Sequence, residues 1–339
     1  MLKKASTFDK ASFEKEFNKR VRQFAEIKDE AEHSLRKKLD AAKIKFHSIP
    51  SRVKELDSCL AKIEKNQIEK PFDQMHDFVG LRVICLFLSD IPKIEELIKK
   101  IFVVIKSDNK VEGGDNTSFG YMSVHHIVRF GSKHTGERYD GIKNIPFEIQ
   151  VRTIAMDAWA NISHYLDYKT EQDIPAELKR DFHALSGMFY VADKHFQLFF
   201  DERLEKQKEI AKVFEDGSSK AMSDQPINLD TLTAFLNDQF SNMPSGGDSG
   251  MKSNLVYRLL QANYKTIGDI SDILKKNQKA VSILRPYSTQ IGIINLIFCY
   301  VNEKYFDAYR SQRPLPFEYV ELAEKWAPFY RGAEKFLVK

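Results

Sequence analysis

Cysteine is scarce. The 339 residues hold three, Cys59, Cys85 and Cys299, far apart and with no C-x-x-C pair. This spacing argues against a disulfide framework and against a zinc site built mainly on cysteine, and it fits a reducing cytoplasm. Long hydrophobic runs are missing too. The most apolar stretch, Ile291 to Val301, is interrupted by Asn295 and falls short of the roughly 20 residues that span a bilayer. It reads as a buried helix. The N-terminus, Met1 to Thr7, has lysines but no apolar core behind them, so it does not read as a signal peptide. The expectation is a soluble cytoplasmic protein with no membrane partner. Charge of one sign is also lacking: 52 basic residues against 48 acidic ones leave +4. A total so small neither demands nor excludes a polyanionic partner, because a local patch matters more.

What is present is an ordinary globular mixture, 42% hydrophobic, 29% charged and 12% aromatic, in a chain long enough for about two domains at roughly 100–200 residues each. Residues 8–47 contain no glycine or proline and read as one or two helices. Ser48-Ile49-Pro50-Ser51-Arg52 reads as a break and a new helix start, with a serine cap and a proline in the first turn, the helix running to about Lys65. Leu81 to Leu88, apolar apart from Arg82, is too apolar for a wet face and reads as a central strand. A helix follows from Ser89 to about Ile101, then a strand over Phe102 to Ile105 and a polar loop from Lys106 to Phe119. Met122 to Phe130 and Pro146 to Arg152 are two more strands, and Thr153 to Glu215 is helical in pattern.

This order predicts an α/β (α+β) fold, a central mixed sheet flanked by helices, followed by an all-helical C-terminal module. Domain boundaries are expected at 1–216 and 227–339, with residues 217–226 as a linker. In the C-terminal part Leu229, Leu232, Phe235 and Leu236 form one apolar stripe. Tyr264 to Leu274 reads as a capped helical piece. The aromatic tail (Tyr300, Tyr305, Phe306, Tyr309, Phe317, Tyr319, Trp326, Phe329, Tyr330 and Phe336) reads as core.

Candidate chemistry gathers in the first domain. Alternation along Phe147 to Arg152 puts Phe147, Ile149 and Val151 on one strand face and Glu148, Gln150 and Arg152 on the other. Likewise Tyr121, Ser123 and His125 share one face, and Val124, His126 and Val128 the other. Each pattern alone is satisfied by a solvated outer face. A tyrosine after Gly120 is turn chemistry, or an aromatic platform for a base worth about 1–3 kcal/mol. Asp77, at the mouth of the central strand, is a turn former or a metal ligand, and Glu148 is the natural second acid. Magnesium is held by one or two carboxylates together with substrate phosphates and water.

Taken together, Asp77-x-x-Gly80-x-Arg82, Gly120-Tyr121-x-Ser123-x-His125, Glu148-Ile149-Gln150-Val151-Arg152-Thr153, and Trp159-Ala160 with His164 and Tyr168-Lys169 resemble the synthetase domain of the RelA/SpoT family. Arg52-Val53-Lys54 and Lys62 match that family's ATP-binding helix, so the resemblance covers roughly residues 45–175. It implies a pyrophosphokinase that moves the β,γ-pyrophosphate of ATP onto the 3′-hydroxyl of GDP or GTP. It also implies that Asp77 and Glu148 hold Mg²⁺ and that Arg52, Lys54 and Lys62 bind ATP. Tyr121 would stack on the acceptor base, with His125, Gln150 and Arg152 near its sugar and phosphates, and Glu148 would assist deprotonation of the attacking hydroxyl. Trp159 reads as core.

The chain departs from many family members between Asp108 and Phe119, where Lys110 is the sole cation. The Phe119-Gly120-Tyr121-Met122-Ser123-Val124-His125 segment is similar to toxic small alarmone synthetases, a group whose members act on the tRNA 3′ end or make adenosine alarmones. A second reading is therefore a toxin-like enzyme acting on tRNA or an adenosine nucleotide, restrained by residues 227–339. A third is a catalytically inactive nucleotide sensor, against which the pair Asp77 and Glu148 counts. His76-Asp77 is the one His-Asp dipeptide in the chain, so the metal hydrolase domain of the family's long members is not expected. The oligomeric state is left open, a homo-oligomer included.

Overall fold

The computed structural model describes residues 8–109, 123–166, 174–215 and 219–312. It divides into two compact units, Met1–Phe200 and Asp201–Lys339.

In the first unit, helix α1 (Lys10–Ala41) starts at Asp9, whose side chain accepts a hydrogen bond from the Ser12 amide. Its buried residues Phe13, Phe17, Phe24, Ile27, Ala31, Leu35 and Leu39 recur at helical spacing. Strands β1 (Phe46–Ser48) and β2 (Ser51–Val53) precede helix α2 (Leu56–Asn66) and the short α3 (Pro71–Gln74). Then come β3 (Val79–Cys85), α4 (Asp90–Ile101), β4 (Val103–Asn109), β5 (Val124–Arg129), α5 (Glu137–Asp140), β6 (Phe147–Thr153) and α6 (Ile154–Tyr165).

The strands form one sheet in the order β1-β3-β6-β5-β4, with β2 also paired to β3. β3 and β6 run parallel and the other pairings are antiparallel, so the sheet is mixed as expected. One face carries Val79, Leu81, Val83, Val124, Val128, Phe147, Ile149 and Val151 into a core completed by α1 and by Ile91, Ile94 and Ile98 of α4. The opposite face bears the polar residues that the alternation picked out.

Three local readings change. The segment around Ser48 to Arg52 is not a helix start: Arg52 and Val53 lie in β2, paired with Gly80 and Val79, and the helix begins at Leu56. A serine and a proline look alike to a cap and to a turn between strands, and non-local pairing with β3 decides. The central strand spans Val79–Cys85 rather than 81–88. Leu86 to Leu88 continue the apolar run beyond it, and Phe87 packs on Phe200 at 4.1 Å. β4 extends to Asn109, through residues read as loop, because Lys106 to Asn109 pair with Ile127 to Val124.

His126 is fully buried on the core face, its Nδ1 2.5 Å from the Ser107 hydroxyl. Burial first, then the charges of Lys99 and His125, push its pKa down from 6.5 to about 4. The folded protein therefore resists a proton that the unfolded chain accepts, and stability from this residue is complete above pH 6.5 and is lost as pH falls toward 4. Denaturant midpoints are expected to decline across that window, and His126→Gln to flatten the decline; an equal slope in the variant would refute it.

α7 (Lys179–Glu215) contains the division between the two units, upstream of residues 217–226, where the short α8 (Ser219–Ser223) is found. In the first unit it supplies Phe182 and Phe189, which pack on Trp159 at 4.5 and 5.9 Å. Trp159 is buried, as read.

The second unit is helical over its described residues: α9 (Leu229–Gln239), α10 (Ser249–Gln261), α11 (Ile267–Lys276), α12 (Gln278–Leu284), α13 (Gln290–Val301) and α14 (Glu303–Gln312). Asn228, Asp248, Thr266 and Thr289 cap four of these through side-chain oxygens. Leu232, Phe235, Leu236, Ile294, Ile297, Phe298 and Tyr305 lie in its core. Tyr300 and Phe306 are exposed, contrary to their reading as core. Phe317 and the aromatic residues after it lie outside the described residues. No helix among the described residues is long and apolar enough to cross a membrane.

Candidate active site

The open sheet face is built by register. Arg52 of β2 pairs with Gly80 of β3, which pairs with Glu148 of β6, which pairs with Ile127 of β5. One level along, Arg82 pairs with Gln150, Gln150 with His125, and His125 with Asp108. Paired residues share a sheet face, so five segments remote in sequence deliver their side chains to one surface. Above Gly80, between Arg52 and Glu148, a Cβ would meet no atom within 4 Å. The floor there is open.

Asp77 stands just before β3. Its Oδ2 accepts hydrogen bonds from Lys54 Nζ at 2.6 Å and Lys62 Nζ at 2.7 Å, while its Oδ1 is buried without a hydrogen-bond partner. Burial works to raise its pKa, but the bonds and charges of the two lysines outweigh that and hold the carboxyl below its ordinary range. Lys54 follows β2, and its backbone N–H donates to Phe78 O, so the strand pairing of β2 with β3 aims it at Asp77. Lys62 comes from α2. Of the three cations read as one helical set, Arg52 is therefore on a strand, Lys54 beyond it and Lys62 alone on a helix.

Glu148 is similarly framed. Its Oε1 lies 2.8 Å from His125 Nδ1, and its Oε2 accepts from Gln150 Nε2 at 2.9 Å. His125 Nε2 is in turn 2.6 Å from the buried Ser123 hydroxyl. Burial pushes the Glu148 carboxyl up, but the bond and charge of His125 and the Gln150 bond prevail, so it too sits below its ordinary range. The charge of Asp77 also opposes ionisation of Glu148, more weakly than burial does.

Arg152 is buried, with Nε and Nη1 lacking hydrogen-bond partners, and Nη1 is 3.6 Å from Asp157 Oδ1. Burial and the charge of Arg82 lower its pKa. Arg82 Nη1 contacts Asp157 at 3.5 Å and Asn161 at 3.2 Å. Asp157 lies in the first turn of α6, which Thr153 caps by accepting from the Met156 amide at 3.1 Å. Arg82 and Ser123 stand in the sequence motifs without a role of their own, and Asp157 and Asn161 stand in none. The alternation of Ser123 with His125 was a signal for Ser123; nothing local marks Asp157.

Of the residues read from the sequence, Arg52, Lys54, Lys62, Asp77, His125, Glu148, Gln150 and Arg152 border this face or reach it. Tyr121, Lys110, Tyr168 and Lys169 lie outside the described residues. His164 is on the last turn of α6. Among the described residues no three His, Cys, Asp or Glu side chains cluster as a metal site. The pair Asp77 and Glu148 nevertheless suits Mg²⁺. Both are ionised, one oxygen of Asp77 is unpartnered, and hard oxygen donors with substrate and water completing the shell are what Mg²⁺ takes.

The face joins cations over an open sheet floor to two acids at its edge. Residues 51–173 match the family model described as a region found in RelA / SpoT proteins. GTP pyrophosphokinase YjbM of Bacillus subtilis is 33% identical over 143 residues, 41% of this chain and 64% of that protein. GTP pyrophosphokinase YwaC of the same organism is 29% identical over 150 residues, 42% of this chain and 69% of that one. The chain thus spans about two thirds of these relatives' lengths. The crystal structure of small alarmone synthetase 1 from Bacillus subtilis aligns with a TM-score of 0.49 at 26% identity, covering 56% of this chain and 98% of that one.

Proposed function

We propose that this chain is an ATP-dependent pyrophosphokinase that transfers the β,γ-pyrophosphate of ATP to the 3′-hydroxyl of GDP or GTP, making alarmones of the guanosine 3′-pyrophosphate type. The observation that carries the proposal is the register that aligns Arg52, Gly80 and Glu148 across the open face, with Asp77 at its edge. The relatives' names, GTP pyrophosphokinase, support the same reaction.

In this reading Arg52, Lys54 and Lys62 grip the ATP, and Asp77 and Glu148 hold Mg²⁺. When bound, the ion neutralises charge on the polyphosphate oxygens. The acceptor's 3′-oxygen attacks the β-phosphorus, the bond from that phosphorus to the bridging oxygen breaks, and AMP leaves with the electron pair. Such transfers depend on in-line positioning and charge neutralisation more than on covalent help. Each oxygen of Glu148 already accepts one hydrogen bond and keeps a second lone pair, so His125 and Gln150 orient the carboxylate without exhausting it. Glu148 also lies beside the attacking hydroxyl and assists loss of its proton. Tyr121 stacks on the acceptor base, and Arg152, with two nitrogens that lack hydrogen-bond partners, takes acceptor phosphate.

The sole cation of the segment Asp108 to Phe119, Lys110, supports a second reading, with tRNA or an adenosine nucleotide as acceptor. Purified protein with γ-labelled ATP and GDP, GTP, ATP or bulk tRNA separates the readings, because the label follows the acceptor. Label in a guanosine product is the expected result. Label in tRNA supports the second reading, and no transfer to any acceptor contradicts both.

A further inference from the structure

We infer that Asp77, Lys54 and Lys62 form an electrostatic latch that makes the divalent cation and the ATP polyphosphate bind as a coupled pair. The inference rests on the pyrophosphokinase reading and adds the order of events within that site.

Asp77 is asked to serve two masters. One oxygen binds two ammonium groups at 2.6 and 2.7 Å, and the other is buried with no partner. Two lysines and one carboxylate leave this cluster with a charge of +1, and Lys54 and Asp77 are largely withdrawn from water, at 14% and 21% side-chain exposure. A divalent cation approaching the free oxygen therefore meets two ammonium groups a few ångströms away, with little solvent to screen them. Those ammonium groups can leave the carboxylate only if another anion receives them. Lys62 is the more exposed of the two, at 39%, and its long stem lets the head group swing.

ATP resolves the conflict from the other side. Its phosphates attract the lysines, but while Asp77 holds them, that attraction is partly spent, and Asp77 itself repels the polyanion. A cation on Asp77 and Glu148 releases the lysines to the phosphates, and phosphates on the lysines open Asp77 to the cation. Each ligand removes the obstacle to the other, so each tightens the other by the same factor. Couplings of this kind run from about 5-fold to 150-fold.

Calorimetric binding of α,β-methylene ATP, which lacks the scissile oxygen bridge, tests the latch without turnover. The wild-type protein is expected to bind it about 5–150-fold more tightly with Mg²⁺ than with chelator. Asp77→Asn is expected to bind the metal-free analogue more tightly than wild type and to gain little from Mg²⁺. Glu148→Gln removes an equal charge from the site but holds neither lysine, so its metal-free gain should be clearly smaller. Equal gains in the two variants, or none in Asp77→Asn, would overturn the latch while leaving the wild-type response to Mg²⁺, and with it the proposed function, intact. A wild-type protein that binds the analogue in neither condition contradicts the ATP reading and the latch with it.

Lys62→Gln, at the more exposed of the two lysines, gives an independent reading should Asp77→Asn fail to fold. With Mn²⁺ alone, followed by electron paramagnetic resonance, it should bind the ion more tightly than wild type. Unchanged Mn²⁺ affinity would count against the latch.

Discussion

Glutamine in place of Glu148 is expected to lower the rate of pyrophosphate transfer by about 10²–10⁴-fold, the range seen when a charged or proton-handling group is lost from a transition state. The replacement keeps the shape of the side chain and removes its charge. One amide oxygen can still accept from Gln150 or from His125, but the amide nitrogen then faces the other donor, so a modest stability loss of about 1–3 kcal/mol accompanies the change. The two effects separate cleanly, because melting of the variant reports the second and labelled transfer reports the first. Activity within a few-fold of wild type would remove Glu148 from the reaction.

Valine at Gly80 should impair the site by a different route. A Cβ there meets nothing within 4 Å, and a β-branched residue suits an interior strand position. The protein is therefore expected to fold and melt close to wild type. The new methyl groups, however, would stand on the floor between Arg52 and Glu148, where the proposal seats ATP. Affinity for α,β-methylene ATP should fall at least about tenfold, a cost of about 1.4 kcal/mol that a steric clash readily exceeds. Ordinary binding by a well-folded Gly80→Val protein would place the nucleotide elsewhere.

These expectations draw on features that were legible in the sequence to different degrees. The faces of β6 were readable from Phe147 to Arg152 because one side is buried and strict alternation follows from the pleat. The same held for β5, where His126 points into the core and His125 to the site. The end of β3 was not readable, since Leu86 to Leu88 continue the apolar run for a separate reason, the packing of Phe87 on Phe200. β2 was hidden because three residues have too short a pattern to outweigh the local signal of Ser48 and Pro50. What makes it a strand is hydrogen bonding to β3, about 28 residues away.

The same distinction runs through the site. Which residues carry charge on the open face was visible. How they are held was not, because the restraints join separate elements: Lys62 of α2 to Asp77, His125 of β5 to Glu148 of β6, and Arg82 of β3 to Asp157 of α6. The division within α7 was likewise invisible, since a helix 37 residues long has one continuous pattern whether it serves one unit or two.

Asp77 and Glu148 are expected to share one divalent ion. Crystals of the protein with Mn²⁺ and α,β-methylene ATP, measured for anomalous scattering at the manganese edge, test this in one experiment. The predicted result is a peak within about 2.0–2.5 Å of oxygens from both carboxylates and from the polyphosphate, with Lys54 and Lys62 turned to the phosphates. A manganese peak on the nucleotide that neither carboxylate touches, with both lysines still on Asp77, would contradict it.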